Sequence, residues 1–173
     1  MLNFLVFVNI YCMKSNIVLV GLNYEYVKQV ALSLCRVLDM FYLDIKDLIA
    51  YNLTDEQTVI STAGVQYYEN EIKKLAISTA DYENSVINFT YDLFINEEIF
   101  TKIKHSATFI FIDIDKKNLK EQNIKKDISQ KLDIELIAFE EISKLIISKC
   151  DYVSKGKNAE LHVENILNQL KAE

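Results

Sequence analysis

Three short stretches of the chain, Asn16–Val20, Ser85–Phe89 and Thr108–Asp113, are dense runs of β-branched, aliphatic and aromatic residues. Continuous apolar patterning, in place of strict alternation, is what a strand buried on both faces requires. Longer segments between and after them carry helical spacing. Val27, Val30, Leu34 and Leu38 recur at intervals of three and four, so they line one buried stripe of a helix. Gln66–Ala76 and Asn96–Lys104 also read as helices. Met40–Leu43, after the first helix, reads as a further strand. Asp133–Lys149 and Asn158–Lys171 read as amphipathic helices on either side of a strand-like Asp151-Tyr152-Val153. Strands alternating with helices predict an α/β fold of three layers, α/β/α, around a parallel sheet of about five strands. Such a sheet takes ligands at the carboxyl ends of its strands, and Gly21 stands there, directly after the first apolar run.

Composition narrows this picture. At 173 residues, half of them hydrophobic, the chain fits one domain with a core that needs no disulfide or metal. Residues 1–12, "MLNFLVFVNIYC", are apolar but lack a basic leader and a cleavage site, and they are too short to span a bilayer. They are expected to be an extension or the product of an upstream start, with residues 13–173 forming the single domain. The rival expectation is an added edge strand, since Phe4, Val6 and Val8 share a face. Cys12, Cys35 and Cys150 are an odd count with no paired spacing, which predicts reduced thiols and a cytoplasmic protein. His105 and His162 are too few and too distant in sequence to predict a metal site. A net charge of −6 and a single arginine, Arg36, argue against nucleic-acid binding. The basic stretch around Lys116–Lys126 is interleaved with acids and reads as a solvated helix face.

Only Gly21, Gly64 and Gly156 are glycines, and there is no proline. Phosphate cradles need glycine so that backbone N–H groups can converge on phosphate oxygens. The turn "GLNYEYVKQV" after the first strand has the place of such a cradle without its composition.

In register with its neighbours, this turn resembles that of the shikimate kinases, P-loop enzymes that phosphorylate a hydroxyl of a carboxylated ring. Family members read G-x-x-G-x-G-K-[ST]-T-V at this position, followed by a helix ending in L-G-x-x-F-x-D-x-D. Here "LDMFYLDIKDLI" follows at the same distance. "ENSVINFTYDLFINEE" is similar to the family's E-N-x-V-I-A-x-G-G-G-x-V-x-x-x-E, and "FIFIDID" to its next strand. "FEEISKLIISKCDYVSKGKNAELHVENIL" resembles the terminal E-R-x-P-x-Y-x-E-x-A-D-x-V segment and last helix. The similarity runs from about Asn16 to Leu170 and implies the P-loop kinase topology.

The resemblance implies the opposite for activity. At the phosphate loop only Gly21 is kept. Tyr24 and Tyr26 stand at the later glycine positions, with Glu25 between them. Val27 stands at the lysine and Lys28 at the metal-binding hydroxyl. One residue turns a helical side chain by about 100°, so Lys28 is expected to point away as an exposed lysine. In the acceptor site the resemblance pairs Asp44 with the acid near the metal and Lys46 with the acid that contacts ring hydroxyls. Glu69 and Ile142 fall where the family grips its substrate carboxylate with arginines, and "KKNLKEQNIKKDISQKL" supplies no lid arginine. Thr90, Tyr91 and Asp92 replace a triple glycine. The expectation is a pseudoenzyme with no cofactor, no metal and a binding, regulatory or scaffold role. The alternative is an active small-molecule kinase with a rearranged loop, which would use ATP and Mg²⁺, with Asp44 at the metal.

Three further expectations concern the same edge. Asp44 and Asp92 would approach each other as a carboxylate pair, or simply be solvated. Cys150 would pack inertly. Tyr24, Tyr26, Tyr67, Tyr68 and Tyr91 would plug the former ligand site or offer a surface to a protein partner, such as an aromatic-pathway enzyme.

Overall fold

The computed structural model describes residues 15–114 and 131–172. The readings of residues 1–12, of Cys12 and of the basic stretch before Lys131 lie outside them. The chain runs β1 (Asn16–Val20), α1 (Tyr24–Leu38), β2 (Phe41–Asp44), α2 (Ile45–Asn52), α3 (Glu56–Ala63) and α4 (Val65–Ser78). There follow β3 (Ser85–Phe89), α5 (Tyr91–Ile95), α6 (Glu97–Ile103), β4 (Ala107–Ile114), α7 (Lys131–Ile147), β5 (Tyr152–Gly156) and α8 (Ala159–Leu170).

The five strands form one parallel sheet in the order β2-β3-β1-β4-β5. All residues of β1 and β3 are buried, as their apolar runs require. Alternation along the pleat divides the core in two. Ile17 and Leu19 of β1, with Ile110 and Ile112 of β4, meet α1 and α8 on one face. Val18 and Val20, with Phe109 and Phe111, meet α4, α5, α6 and α7 on the other. β1 and β3 lie side by side, yet the chain leaves β1 toward α1 on the first face and β3 toward α5 on the second. Their carboxyl ends therefore border a crevice at the sheet's topological switch point.

The three-layer fold and the five parallel strands match expectation, as do the exact limits of β1 and β3. Three helices carried no readable signal. α2 begins directly at the end of β2. α3 has no buried residue, hence no apolar stripe. α5, at five residues, is too short to display a period.

Gly21 ends β1 at the closest approach in this region. A Cβ there would lie 2.8 Å from Val27 Cγ2 and 2.9 Å from the Ile112 carbonyl oxygen. Glycine lets the β1–α1 turn lie flat on β4 and seat Val27 in the core. Gly21→Ala is expected to destabilise the fold by about 1–3 kcal/mol, read as a lower urea midpoint with an unchanged slope.

Candidate functional site

The β1–α1 turn satisfies its helix N-terminus from within. Asn23 is the N-cap of α1, and its side chain accepts the Tyr26 N–H at 3.0 Å. Glu25, exposed in the first turn, places a negative charge at the positive end of the helix dipole. Val27 is fully buried in the core beneath.

Tyr24 and Lys28 stand one helical turn apart on α1, so they share a face. That face looks onto the end of β2, where Tyr42 and Asp44, two residues apart, point to the same side of the sheet. The register partner of Asp44 on β3 is Asn88. The consequence is a polar cluster around a carboxylate that is only 3% exposed. Oδ1 of Asp44 accepts from the Tyr24 hydroxyl and from the backbone N–H groups of Lys46 at 3.0 Å and Asp47 at 3.3 Å. It thereby caps α2. Oδ2 accepts from the Tyr42 hydroxyl at 2.7 Å and Asn88 Nδ2 at 3.4 Å, and the Lys28 ammonium lies 3.2 Å away. Lys28 Nζ also lies 3.7 Å from Asp47 Oδ2. Lys46 is exposed, with its ammonium 3.9 Å from the centroid of the Tyr24 ring.

Burial pushes the Asp44 carboxyl up, but hydrogen bonds from Tyr24, Tyr42 and Lys28 outweigh it and hold the group at about 2. Burial and the same carboxylate push both phenols well above their ordinary range. Lys28 is pushed up by its contact with Asp44. The cluster therefore holds a fixed anion, two neutral phenols and a fixed cation at neutral pH, with no proton poised to move.

Lys28 does not point into solvent as the rotation along the helix suggested. It shares the face of Tyr24 that looks onto the end of β2, and its flexible four-carbon stem brings the ammonium to Asp44; rotation relative to Val27 says nothing of where β2 lies. Asp92 is exposed on α5 and is not among the partners of Asp44. Tyr91 is half-buried against the second core face, as is Ile142. Glu69 is exposed on α4, and so is Tyr67. The tyrosines thus part company: Tyr24 and Tyr26 turn inward at the loop, while Tyr67 faces solvent. Cys150 is half-buried, and burial together with Asp151 pushes its thiol up to about 12, as inert packing requires. Arg36 is exposed in the last turn of α1.

Sequence reasoning missed Tyr42 and Asn88. The available signals were the two-residue spacing of Tyr42 to Asp44 on a strand and an asparagine inside an otherwise apolar run.

A second buried polar group lies on the α1–α8 side. Tyr26 packs edge-on against His162, ring centroids 5.6 Å apart. His162 Nδ1 is 2.9 Å from Ser154 Oγ, while its Nε2 and the Tyr26 hydroxyl are buried with no hydrogen-bond partner among the described residues. Burial pushes the imidazole below its ordinary range. A cleft of about 430 Å³ opens nearby at the ends of β4 and β5, lined by Asp113, Lys155, Gly156, Lys157 and Leu161. Among the described residues, no three His, Cys, Asp or Glu side chains gather as a metal cluster, and no helix is long and apolar enough to cross a membrane.

A parallel sheet with this strand order and a strand–glycine–helix turn at its switch point defines the P-loop kinase class of α/β folds. Among solved structures, the fold is that of the shikimate kinases. The enzyme of Aquifex aeolicus superposes with a TM-score of 0.73 at 26% identity, over 91% of this chain and 96% of that one. Shikimate kinase from Acinetobacter baumannii, in complex with shikimate, gives 0.73 at 14%, over 91% and 93%. YorR of Bacillus subtilis, in complex with phosphorylated GDP, gives 0.60 at 14%, over 90% and 95%. No family model matches the sequence. No curated protein matches it either.

Two pH dependences follow. The folded Asp44 carboxyl titrates below its ordinary 3.8, so the unfolded chain takes the proton first as pH falls. Its stabilisation, on the order of 2 kcal/mol, is complete above about pH 5 and lost as pH falls toward about 2. Asp44→Asn should lower the urea midpoint at neutral pH and flatten its acid dependence. The folded His162 ring also titrates below its ordinary 6.5, so acidification below about pH 6.5 favours the unfolded chain. His162→Gln should remove that portion of the decline in melting temperature.

Proposed function

We propose that this protein is a shikimate-kinase-like pseudoenzyme that binds no ATP and transfers no phosphoryl group, and that it serves a binding, regulatory or scaffold role. The observation that carries this reading is the occupancy of the phosphate-loop position by the protein's own side chains. A phosphate cradle works because backbone N–H groups and a positive helix end are left free for an anion. In this chain Asn23 accepts the Tyr26 N–H, and Glu25 sets a negative charge at the helix's positive end. Tyr24 spans from the loop to Asp44, and Val27, at the lysine position, belongs to the core. Among the described residues, no free lysine and no hydroxyl stand where the terminal phosphates and their metal would need them.

A second reading is an active small-molecule kinase with a rearranged loop. The 26% identity to an enzyme of that activity favours it. It requires Tyr24 and Lys28 to leave Asp44 when nucleotide arrives, and it predicts strong stabilisation by substrate.

Calorimetry and thermal denaturation with Mg-ATP separate the two. The expected result is no binding heat and an unchanged melting temperature at millimolar nucleotide. A micromolar site would add about 4 kcal/mol under those conditions and would overturn the proposal.

A further inference from the structure

The resemblance places Asp44 where the family has the acid near Mg²⁺, so a metal accompanying nucleotide would lie beside it. An oxygen ligand must offer the ion a free lone pair and leave room for its water. A carboxylate has about four lone-pair sites. Here Oδ1 accepts from three donors, while Oδ2 accepts from Tyr42 at 2.7 Å and only at a long 3.4 Å from Asn88, so the lone pair that Asn88 uses weakly is the one the Lys28 ammonium meets at 3.2 Å. Charge bears on the site as well as geometry. Lys28 touches both Asp44 and Asp47, and Lys46 lies over the Tyr24 ring. A dication would enter beside an ammonium within hydrogen-bond reach of the same oxygen. A divalent ion does not fit.

We infer that Lys28 is the resident cation of this site: its ammonium takes the place of a divalent ion at Asp44 and makes the cluster metal-independent. The lysine stands at the position of the hydroxyl that binds metal in the resemblance. Asp44 keeps a cation to face, one tethered to α1. The inference rests on the pseudoenzyme reading only for its location, because it concerns the metal without nucleotide.

The experiment uses Mn²⁺ alone, followed by the paramagnetic resonance signal of the free ion, with melting temperatures in Mg²⁺ as a second readout. Wild type is expected to leave the Mn²⁺ signal unattenuated and to melt at the same temperature with or without Mg²⁺. Lys28→Ser, which removes the ammonium and restores a hydroxyl, should bind one Mn²⁺ at least tenfold more tightly than wild type and melt higher in Mg²⁺. Adding Asp44→Asn should abolish both effects. Lys28→Met, which keeps the stem, should gain Mn²⁺ affinity too and serves if the serine variant does not fold. Mn²⁺ binding by wild type that Asp44→Asn removes would overturn the inference. So would a folded Lys28 variant that gains no affinity. Nucleotide is absent throughout, so ATP binding in calorimetry would refute the pseudoenzyme reading without bearing on this result.

Discussion

A carboxylate taken out of water at the end of β2 constrains everything around it. Removing Asp44 from solvent would by itself favour the protonated acid, and an unpaired ion there would cost several kcal/mol. The chain answers with partners drawn from four elements. Tyr24 and Lys28 come from α1, Tyr42 from β2, Asn88 from β3, and the first amides of α2 complete the set. Each donor reaches the carboxylate only if its own element is in place. One side chain thereby fixes how the first helix sits on the edge of the sheet and where the second helix begins.

That constraint shapes the turn that would otherwise receive a ligand. In a phosphate-binding loop the polar groups of the strand-to-helix junction stay unsatisfied until an anion arrives. Here Asn23 closes the N-terminus of α1, Glu25 faces its dipole, and Tyr24 and Lys28 are committed to Asp44. The junction keeps the shape of the kinase fold through Gly21 and Val27, which govern how closely the turn packs on β4. Gly21 and Val27 seat α1 on the sheet, while Tyr24 and Lys28 meet Asp44 across the junction. A fold shared with kinases then says little about activity, because activity resides in the atoms that meet a substrate.

Much of the architecture was legible in the chain because burial on both faces of a parallel strand demands continuous apolar runs. Asn16–Val20 and Ser85–Phe89 announce β1 and β3 to the residue. The stripe from Val27 to Leu38 announces α1 for the same reason, with a period of 3.6 in place of 2. α3 was illegible because it buries nothing, and α5 because five residues show no period. Of the site, the sequence offered Asp44, the loop residues Tyr24 to Lys28 and the loss of the later loop glycines.

By itself the sequence determined the layers, the parallel sheet and the place where a ligand site would lie, because these follow from the periodicity of apolar burial. Only the tertiary structure decided what the polar residues at that place do. Lys28 read as a solvent-facing lysine, since a position on one helix does not tell which strand end that helix face will meet. Asp92 read as a possible companion to Asp44, since two acids at strand ends carry no distance in their sequence. Tyr42 and Asn88 did not read as site residues at all. Electrostatic partnership depends on separations of a few ångströms between elements distant in sequence, and these exist only once the sheet has set its register.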